Sequence, residues 1–135
     1  MADFSVSLQV RDHECDMQGV VNHAVYLNYL EHARHEFLKT RGLDFAKLTA
    51  DGIIVVVARA EIDYRRSLRS GDHFRVTARP LRASAVRLVF EQEILLEPGG
   101  TCMVAAKMTT TAVNERGRPY FPQELEALFL SADKS

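Results

Sequence analysis

One segment of the chain repeats its apolar side chains at three- and four-residue steps, which is the period of an amphipathic helix. Asn22 suits the N-cap position just before this segment, and Gly42 suits a helix end that follows the basic residues Lys39 and Arg41. We therefore predict a helix from about His23 to Arg41. A stripe of this length needs a broad partner surface. Its members are Val25, Tyr26, Tyr29, Leu30, Ala33, Phe37 and Leu38.

The rest of the chain is patterned mainly as strands. Apolar and polar residues alternate in the segments 4–10, 73–81 and 85–97, and the segment 101–113 is rich in threonine and valine. A continuous apolar run, IIVVVA from Ile53 to Ala58, predicts a further strand that is covered on both faces. Short turns join the last four strands, so we predict an α+β fold in which one five-stranded antiparallel sheet wraps around the long helix. A short helix is expected over 123–129.

The size and net charge of the chain limit the classes of protein to which it can belong. A chain of 135 residues with 47% hydrophobic residues predicts a single domain over 1–135 with a substantial core. The net charge of -1 provides no general attraction to nucleic acid or to an anionic membrane. The first residues lack the pattern of a signal peptide, and the two cysteines have no metal-ligand spacing, so we expect a cytoplasmic protein without a metal.

A polar loop that carries Asp16 and Gly19 leads into the predicted helix. A helix N-terminus presents unpaired N–H groups and the positive end of the helix dipole, which can stabilise a carbonyl oxygen as it becomes negative. A carboxylate beside these donors can attack the carbonyl carbon or activate water. The loop therefore contains the parts of an acyl-transfer site. Residue type alone leaves Asp16 open as a solvated loop acid or a helix-capping residue, which is the interpretation we keep for Asp12 and Glu14.

Three motifs carry a resemblance to a known family. The pattern Asp16-x-x-Gly19-Val20-Val21-x-His23-x-x-Tyr26 opens the helix, SLRSGD occupies 67–72, and SAVRLVFEQEI occupies 84–94. The chain thus resembles the hot-dog-fold acyl thioesterases of the 4-hydroxybenzoyl-CoA thioesterase subgroup. Within it, the chain is similar to plant acyl-thioesterases of the methylketone-synthase type and to their bacterial relatives. The resemblance covers roughly Ser5 to Pro122.

The resemblance implies a hot-dog fold, a homodimer or homotetramer, and an active site at the dimer interface. It implies that Asp16 is the catalytic carboxylate and that His23 supplies a backbone N–H to the thioester carbonyl. The substrate is then an acyl-CoA or acyl-carrier-protein thioester, and no metal or redox cofactor is implied. The accompanying oxyanion and substrate-binding positions are Gly19, Val20, Val21, Asn22 and Tyr26.

Five arginines are candidates for contacting the phosphates of coenzyme A, because the planar guanidinium binds phosphate well. Each of them also fits an ordinary solvated surface. They are Arg65, Arg66, Arg69, Arg82 and Arg87.

Several side chains allow more than one interpretation. His32 and Glu36 have the i,i+4 spacing of a metal pair, but a salt-bridged helix surface is the favoured interpretation. Cys15 is interpreted as a packing residue, since no base for a thiolate is evident. Glu31 stays open as a helix acid that could act in catalysis.

Thioester hydrolysis has three rivals. One is a hot-dog dehydratase or hydratase that pairs the His23 imidazole with Asp16, the second is a non-catalytic acyl-CoA-binding module, and the third and weakest is a structural dimerisation domain. The sequence also leaves open whether Asp16 acts as nucleophile or as general base.

Overall fold

The long helix forms where the apolar period places it. The computed structural model describes residues 4–129. Helix α1 spans His23–Thr40, and the side chain of Asn22 accepts a hydrogen bond from the N–H of Ala24 at its start. Gly42 follows the helix with a φ of 77°, a conformation that glycine adopts without strain. The predicted helix and both of its end signals are confirmed.

The strands form one antiparallel sheet. Its order is β1-β3-β4-β5-β2, and a short sixth strand, β6, pairs with β5. The sheet thus has the five predicted strands and one further strand of two residues. The strands are β1 Phe4–Gln9, β2 Ile54–Tyr64, β3 His73–Arg82, β4 Arg87–Glu97, β5 Thr101–Val113 and β6 Pro119–Tyr120.

The sequence pattern missed one helix. Helix α2 spans Phe45–Ala50, and the carboxylate of Asp44 caps it by accepting from the N–H groups of Ala46 and Lys47. Six residues are too few to show a helical period, so the capping residue Asp44 was the one indication of this helix in the sequence. The expected helix near the end of the chain is a 3₁₀ helix, Gln123–Phe129.

Helix α1 packs its apolar stripe on one face of the sheet. Leu30 and Ala33 are fully buried, and Phe37 is 2% exposed. Within this contact lies a polar residue of β4, Gln92, which is 2% exposed. Its Nε2 donates to the carbonyl oxygens of Leu30 at 3.0 Å and Thr77 at 3.2 Å, which ties the helix to β3. Every described member of the predicted stripe except Val25 is buried.

The apolar run at the start of β2 is a strand, but the prediction that both faces are covered is wrong for the single chain. β2 lies at an edge of the sheet and pairs only with β5 among the described strands. Ile54, Val56 and Val57 are 42%, 41% and 46% exposed. A run of β-branched residues indicates a strand, but it does not show what lies next to that strand. In the part of the chain that the structure describes, no helix combines the length and the apolarity needed to cross a membrane.

Leu30→Ala tests the helix–sheet contact. Leu30 has no exposed surface, so we expect the free energy of unfolding to fall by roughly 2–5 kcal/mol, from lost apolar burial and the cavity left behind. Chemical denaturation of both proteins measures the difference. Leu81→Ala is the matched control, because Leu81 is 37% exposed and should change stability by about 0.5 kcal/mol or less. Equal effects of the two substitutions would contradict the packing described.

Candidate active site

The loop before α1 is closed by its own backbone. The N–H of Asp16 donates to the carbonyl oxygen of Val20 at 2.9 Å, and the N–H of Gly19 donates back to the carbonyl oxygen of Asp16 at 3.0 Å. Gly19 has a φ of 82°, which this turn requires and which favours glycine. A β-bridge between Cys15 and Val21 closes the base of the loop. The sequence between them therefore forms a compact turn beside the helix N-terminus.

The connection between β2 and β3 holds this loop in place. Val20 forms a β-bridge with Arg69, and the N–H of Val21 donates to the carbonyl oxygen of Leu68 at 2.9 Å. The hydroxyl of Tyr26 accepts from the N–H of Leu68 at 2.9 Å. Val21 and Tyr26 are 4% and 3% exposed. Both side chains belong to the core. In the single chain, Val21 and Tyr26 therefore hold the loop in position, although the sequence predicted them as substrate contacts.

The carboxylate of Asp16 is exposed and oriented. Its Oδ1 accepts from the N–H of Gln18 at 2.9 Å and more weakly from the N–H of Val20 at 3.4 Å. Its Oδ2 accepts no hydrogen bond from residues 4–129. One oxygen is thus fixed by the turn, and the other is free to act on a substrate or on water.

The helix N-terminus has an unused donor. The side chain of Asn22 accepts from the N–H of Ala24, and its carbonyl oxygen accepts from the N–H of Val25, both at 2.9 Å. The N–H of His23 has no acceptor among residues 4–129. Asn22 and His23 are exposed. A free N–H at the positive end of a helix dipole suits a developing oxyanion.

Tyr64 is a neighbour of this site that sequence analysis missed. It lies at the end of β2 and is 48% exposed. Its hydroxyl donates to the carbonyl oxygen of His23 at 3.3 Å, and its ring lies 5.5 Å from the ring of Tyr26, measured between centroids. This contact joins residues 41 positions apart, so no local pattern could indicate it.

Glu14 is not a solvated loop acid but a buried residue that caps the 3₁₀ helix Asp12–Glu14. It is 7% exposed, and its Oε1 accepts from the hydroxyl of Tyr29 and from the backbone N–H of Arg11, both at 2.8 Å. Burial favours the neutral acid, but these hydrogen bonds and the guanidinium of Arg11 outweigh it and lower the pKa of Glu14. Arg11 lacks the acceptor side chain of a capping box, so no local sequence pattern indicated this burial. Asp12 is exposed as expected and accepts from the hydroxyl of Ser70.

The structure divides the five candidate arginines into two groups. Arg65, Arg66 and Arg69 belong to the segment between β2 and β3; Arg69 bridges to the loop, while the N–H groups of Arg65 and Arg66 donate to the carbonyl oxygen of Met103 in β5. Arg82 is the last residue of β3, roughly 30 Å along the strand from its first residue, His73. Arg87 begins the next strand, β4. The guanidinium of Arg82 already pairs with Glu126 at 3.0 Å and lies over the ring of Phe121.

The acids and histidines of α1 form no metal site in the described part of the chain. Glu36 pairs with Lys39 at 3.0 Å and not with His32. The ring of His35 stacks on Phe45 at 4.6 Å, and burial lowers its pKa. The predicted salt-bridged helix surface is therefore present, but Glu36 pairs with Lys39 and not with His32. Cys15 is half-buried against the core, which agrees with its role as a packing residue.

Comparisons with known proteins agree with this architecture. A family model described as "Thioesterase-like superfamily" matches residues 10–129. Two plant proteins from Arabidopsis thaliana are similar in sequence: the acyl-acyl carrier protein thioesterases ATL3 and ATL2, both chloroplastic. ATL3 is 36% identical over 96% of this chain and 70% of its own length. ATL2 is 38% identical over 84% of this chain and 61% of its own length, so the chain spans less than two thirds of ATL2.

A solved structure has the same fold. The crystal structure of a hypothetical protein from Aquifex aeolicus superposes with a TM-score of 0.86 at 30% sequence identity. The match covers 93% of this chain and 98% of that one. The likeness therefore extends over nearly the whole of both chains.

Glu14→Gln tests the buried anchor of the loop. The pKa of Glu14 is below its ordinary value of 4.5 in the folded state, so its stabilising effect is complete above that pH and is lost as the pH falls through the folded value. At pH 7 we expect the variant to lose roughly 1–3 kcal/mol of unfolding free energy, because neutral hydrogen bonds replace charged ones. The difference should shrink in acid. Denaturation between pH 3 and about pH 7 measures it, and Asp12→Asn is the control with little change.

Proposed function

The chain belongs to the Thioesterase-like superfamily, and from this premise we propose that it hydrolyses acyl thioesters at the junction of the Asp16 loop and the N-terminus of α1. The membership confirms the family resemblance and the hot-dog fold that the sequence predicted. One observation carries the proposal: a carboxylate oxygen of Asp16 and the N–H of His23, at the same loop–helix junction, have no hydrogen-bond partner among residues 4–129.

The two free groups have complementary tasks in thioester hydrolysis. The N–H of His23 stabilises the carbonyl oxygen as it becomes negative, and the loss of one such donor typically costs roughly 3–4 kcal/mol. The carboxylate of Asp16 either attacks the carbonyl carbon to form a mixed anhydride, which water then opens, or removes a proton from the attacking water. The C–S bond breaks in both routes and releases a thiol. Oδ1 is held by the turn, so Oδ2 is the oxygen that reacts.

The thiol carrier is proposed to be coenzyme A or an acyl carrier protein. Both present the acyl group on a phosphopantetheine arm, and the plant relatives are named for the carrier protein. Arg65, Arg66 and Arg69 are the proposed phosphate contacts, because their segment touches the loop. Arg82 and Arg87 remain weaker candidates: Arg82 lies at the far end of β3 and already pairs with Glu126, and Arg87 begins β4.

The active form is proposed to be a dimer joined through the edge of β2, or a tetramer made of two such dimers. This edge has no strand partner within the described chain and exposes Ile54, Val56 and Val57. Natural proteins normally pair or protect an apolar edge of this kind. A second copy would also bring its own surface close to the end of β2, where Tyr64 contacts the helix N-terminus.

Asp16→Asn tests the chemistry. The amide keeps the shape of the carboxylate but can neither attack nor accept the proton of water, so we expect thioester hydrolysis to fall by at least about 10²-fold. Thiol release from a panel of acyl-CoAs measures the rate. Acyl-CoA binding and folding should be preserved. Asp12→Asn is the matched control and should keep nearly full activity.

His23→Ala separates hydrolysis from its rivals. The variant keeps its backbone N–H, so we expect a much smaller loss than for Asp16→Asn. If instead His23→Ala abolishes turnover and Asp16→Asn does not, the imidazole is the catalyst and a hydratase becomes the better interpretation. A wild-type protein that binds acyl-CoA without releasing thiol or hydrating an enoyl-CoA would indicate a binding module.

A double substitution, Ile54→Lys with Val56→Lys, tests the assembly. Two charges on the exposed edge of β2 oppose pairing with another copy. We expect the wild-type mass from light scattering to be a multiple of 15.2 kDa and the variant to be monomeric with reduced activity. Leu81→Lys introduces a charge at an exposed leucine away from β2 and should leave the mass unchanged. A monomeric wild-type protein would refute the proposed dimer.

A further inference from the structure

A cavity of about 150 Å³ lies between the second half of α1, helix α2 and the start of β2. It is separate from the Asp16 loop, because its residues on α1 begin at Glu31, eight residues or about 12 Å along the helix from His23. Most of its wall is apolar. The apolar residues that form its sides include Leu38, Phe45, Leu48, Leu88, Phe90 and Leu125.

A buried cation, Arg34, forms part of this wall. It is 8% exposed, and its Nη1 donates to Oε1 of Gln92 at 3.0 Å. This is the one hydrogen bond that its guanidinium forms with residues 4–129, and it has no ion-pair partner among them. A guanidinium has five N–H donors, so one neutral acceptor leaves most of its bonding capacity unused.

An isolated buried charge is costly unless an opposite charge or several acceptors compensate it. Burial lowers the pKa of Arg34, and only the field of Glu31, one turn earlier on α1, opposes that effect. Glu31 is exposed and forms no ion pair with Arg34, so solvent weakens its influence. The cavity therefore combines apolar walls with a cation whose partner is not supplied by the described chain.

We propose that this cavity binds a small monocarboxylate, whose charged group pairs with Arg34 and whose apolar tail fills the space between α1, α2 and β2. A guanidinium matches a carboxylate with two parallel hydrogen bonds, which gives both affinity and orientation. Apolar protein cavities of about 150 Å³ accept molecules as large as benzene, so a tail of roughly five or six carbons fits. Within one chain the site stands apart from Asp16 and His23, which do not line it, while Val56 and Val57 of the proposed dimer edge do.

Titration of ¹⁵N-labelled protein with hexanoate tests the proposal. We expect saturable chemical-shift changes in the amides of Leu48, Leu88 and Leu125 and not in those of Gly19 and Val20. Hexanamide, which has the same tail without the charge, should bind at least tenfold more weakly. Unchanged chemical shifts at Gly19 and Val20 separate this site from product binding at the loop.

Two variants and one control define the role of Arg34. Arg34→Met removes the cation and should weaken hexanoate binding at least tenfold. Leu48→Phe keeps the cation but fills the cavity, and it should also prevent binding. Arg41→Met removes another partly buried arginine of this helix end, which lies over the ring of Phe37 and does not line the cavity, and should have no effect.

The proposal is overturned by equal binding of hexanoate and hexanamide, by shifts confined to Gly19 and Val20, or by the absence of saturable binding. It is also overturned if Arg34→Met is folded and binds hexanoate normally. Should Arg34→Met fail to fold because the oxygen of Gln92 loses its donor, the comparison of the two ligands and the Leu48→Phe variant decide the question.

Discussion

The hydrogen bonds of Gln92 fix helix α1 on the sheet. The position of the helix in turn sets where its N-terminus and its last turns lie. An amide side chain that is 2% exposed bonds to the helix at Leu30 and Arg34 and to the sheet at Thr77. Apolar packing is tolerant of small shifts, whereas a buried amide loses its partners if the helix slides by one residue. The N-terminus of α1 is thereby held at the β2–β3 connection, where Tyr26 meets Leu68.

A single helix thus serves two places of different chemistry. Its first turn offers a free N–H and a positive dipole end beside a carboxylate, both open to solvent. Its later turns offer a cation that is shielded from solvent by the sheet and α2. In the two proposed sites, a backbone N–H contacts the ligand at one end of the helix, and a side chain contacts it at the other. The first is insensitive to substitution of the residue that carries it, while the second depends on Arg34 alone.

The sequence predicted those parts of the structure that depend on local hydrophobic periodicity and on the residues that begin and end a helix. The stripe through Leu30 and Phe37 predicted α1, and alternation predicted the strands. It could not predict which polar residues are buried, because that depends on partners far along the chain. Glu14 meets Tyr29, and Gln92 meets Arg34, across 15 and 58 residues.

The same limit applies to the candidate site and to the sheet edge. Asp16 and the helix N-terminus were predicted from the loop pattern and the family resemblance, whereas Tyr64 reaches them from another strand. The run from Ile54 to Val57 indicates a strand, but its place at the edge follows only from the pairing order of the whole sheet.

The β-bridge between Val20 and Arg69 links the Asp16 loop to the segment between β2 and β3. Val20 bridges to the arginine segment through its backbone, and its N–H also donates to the carboxylate of Asp16. In the proposed hydrolysis, a phosphate bound at Arg69 would therefore act through Val20 on the orientation of the Asp16 carboxylate. The anchored end of the proposed substrate and the thioester that is broken would be coupled through this short connection. Part of the energy of anchoring can then be spent on aligning the reacting atoms.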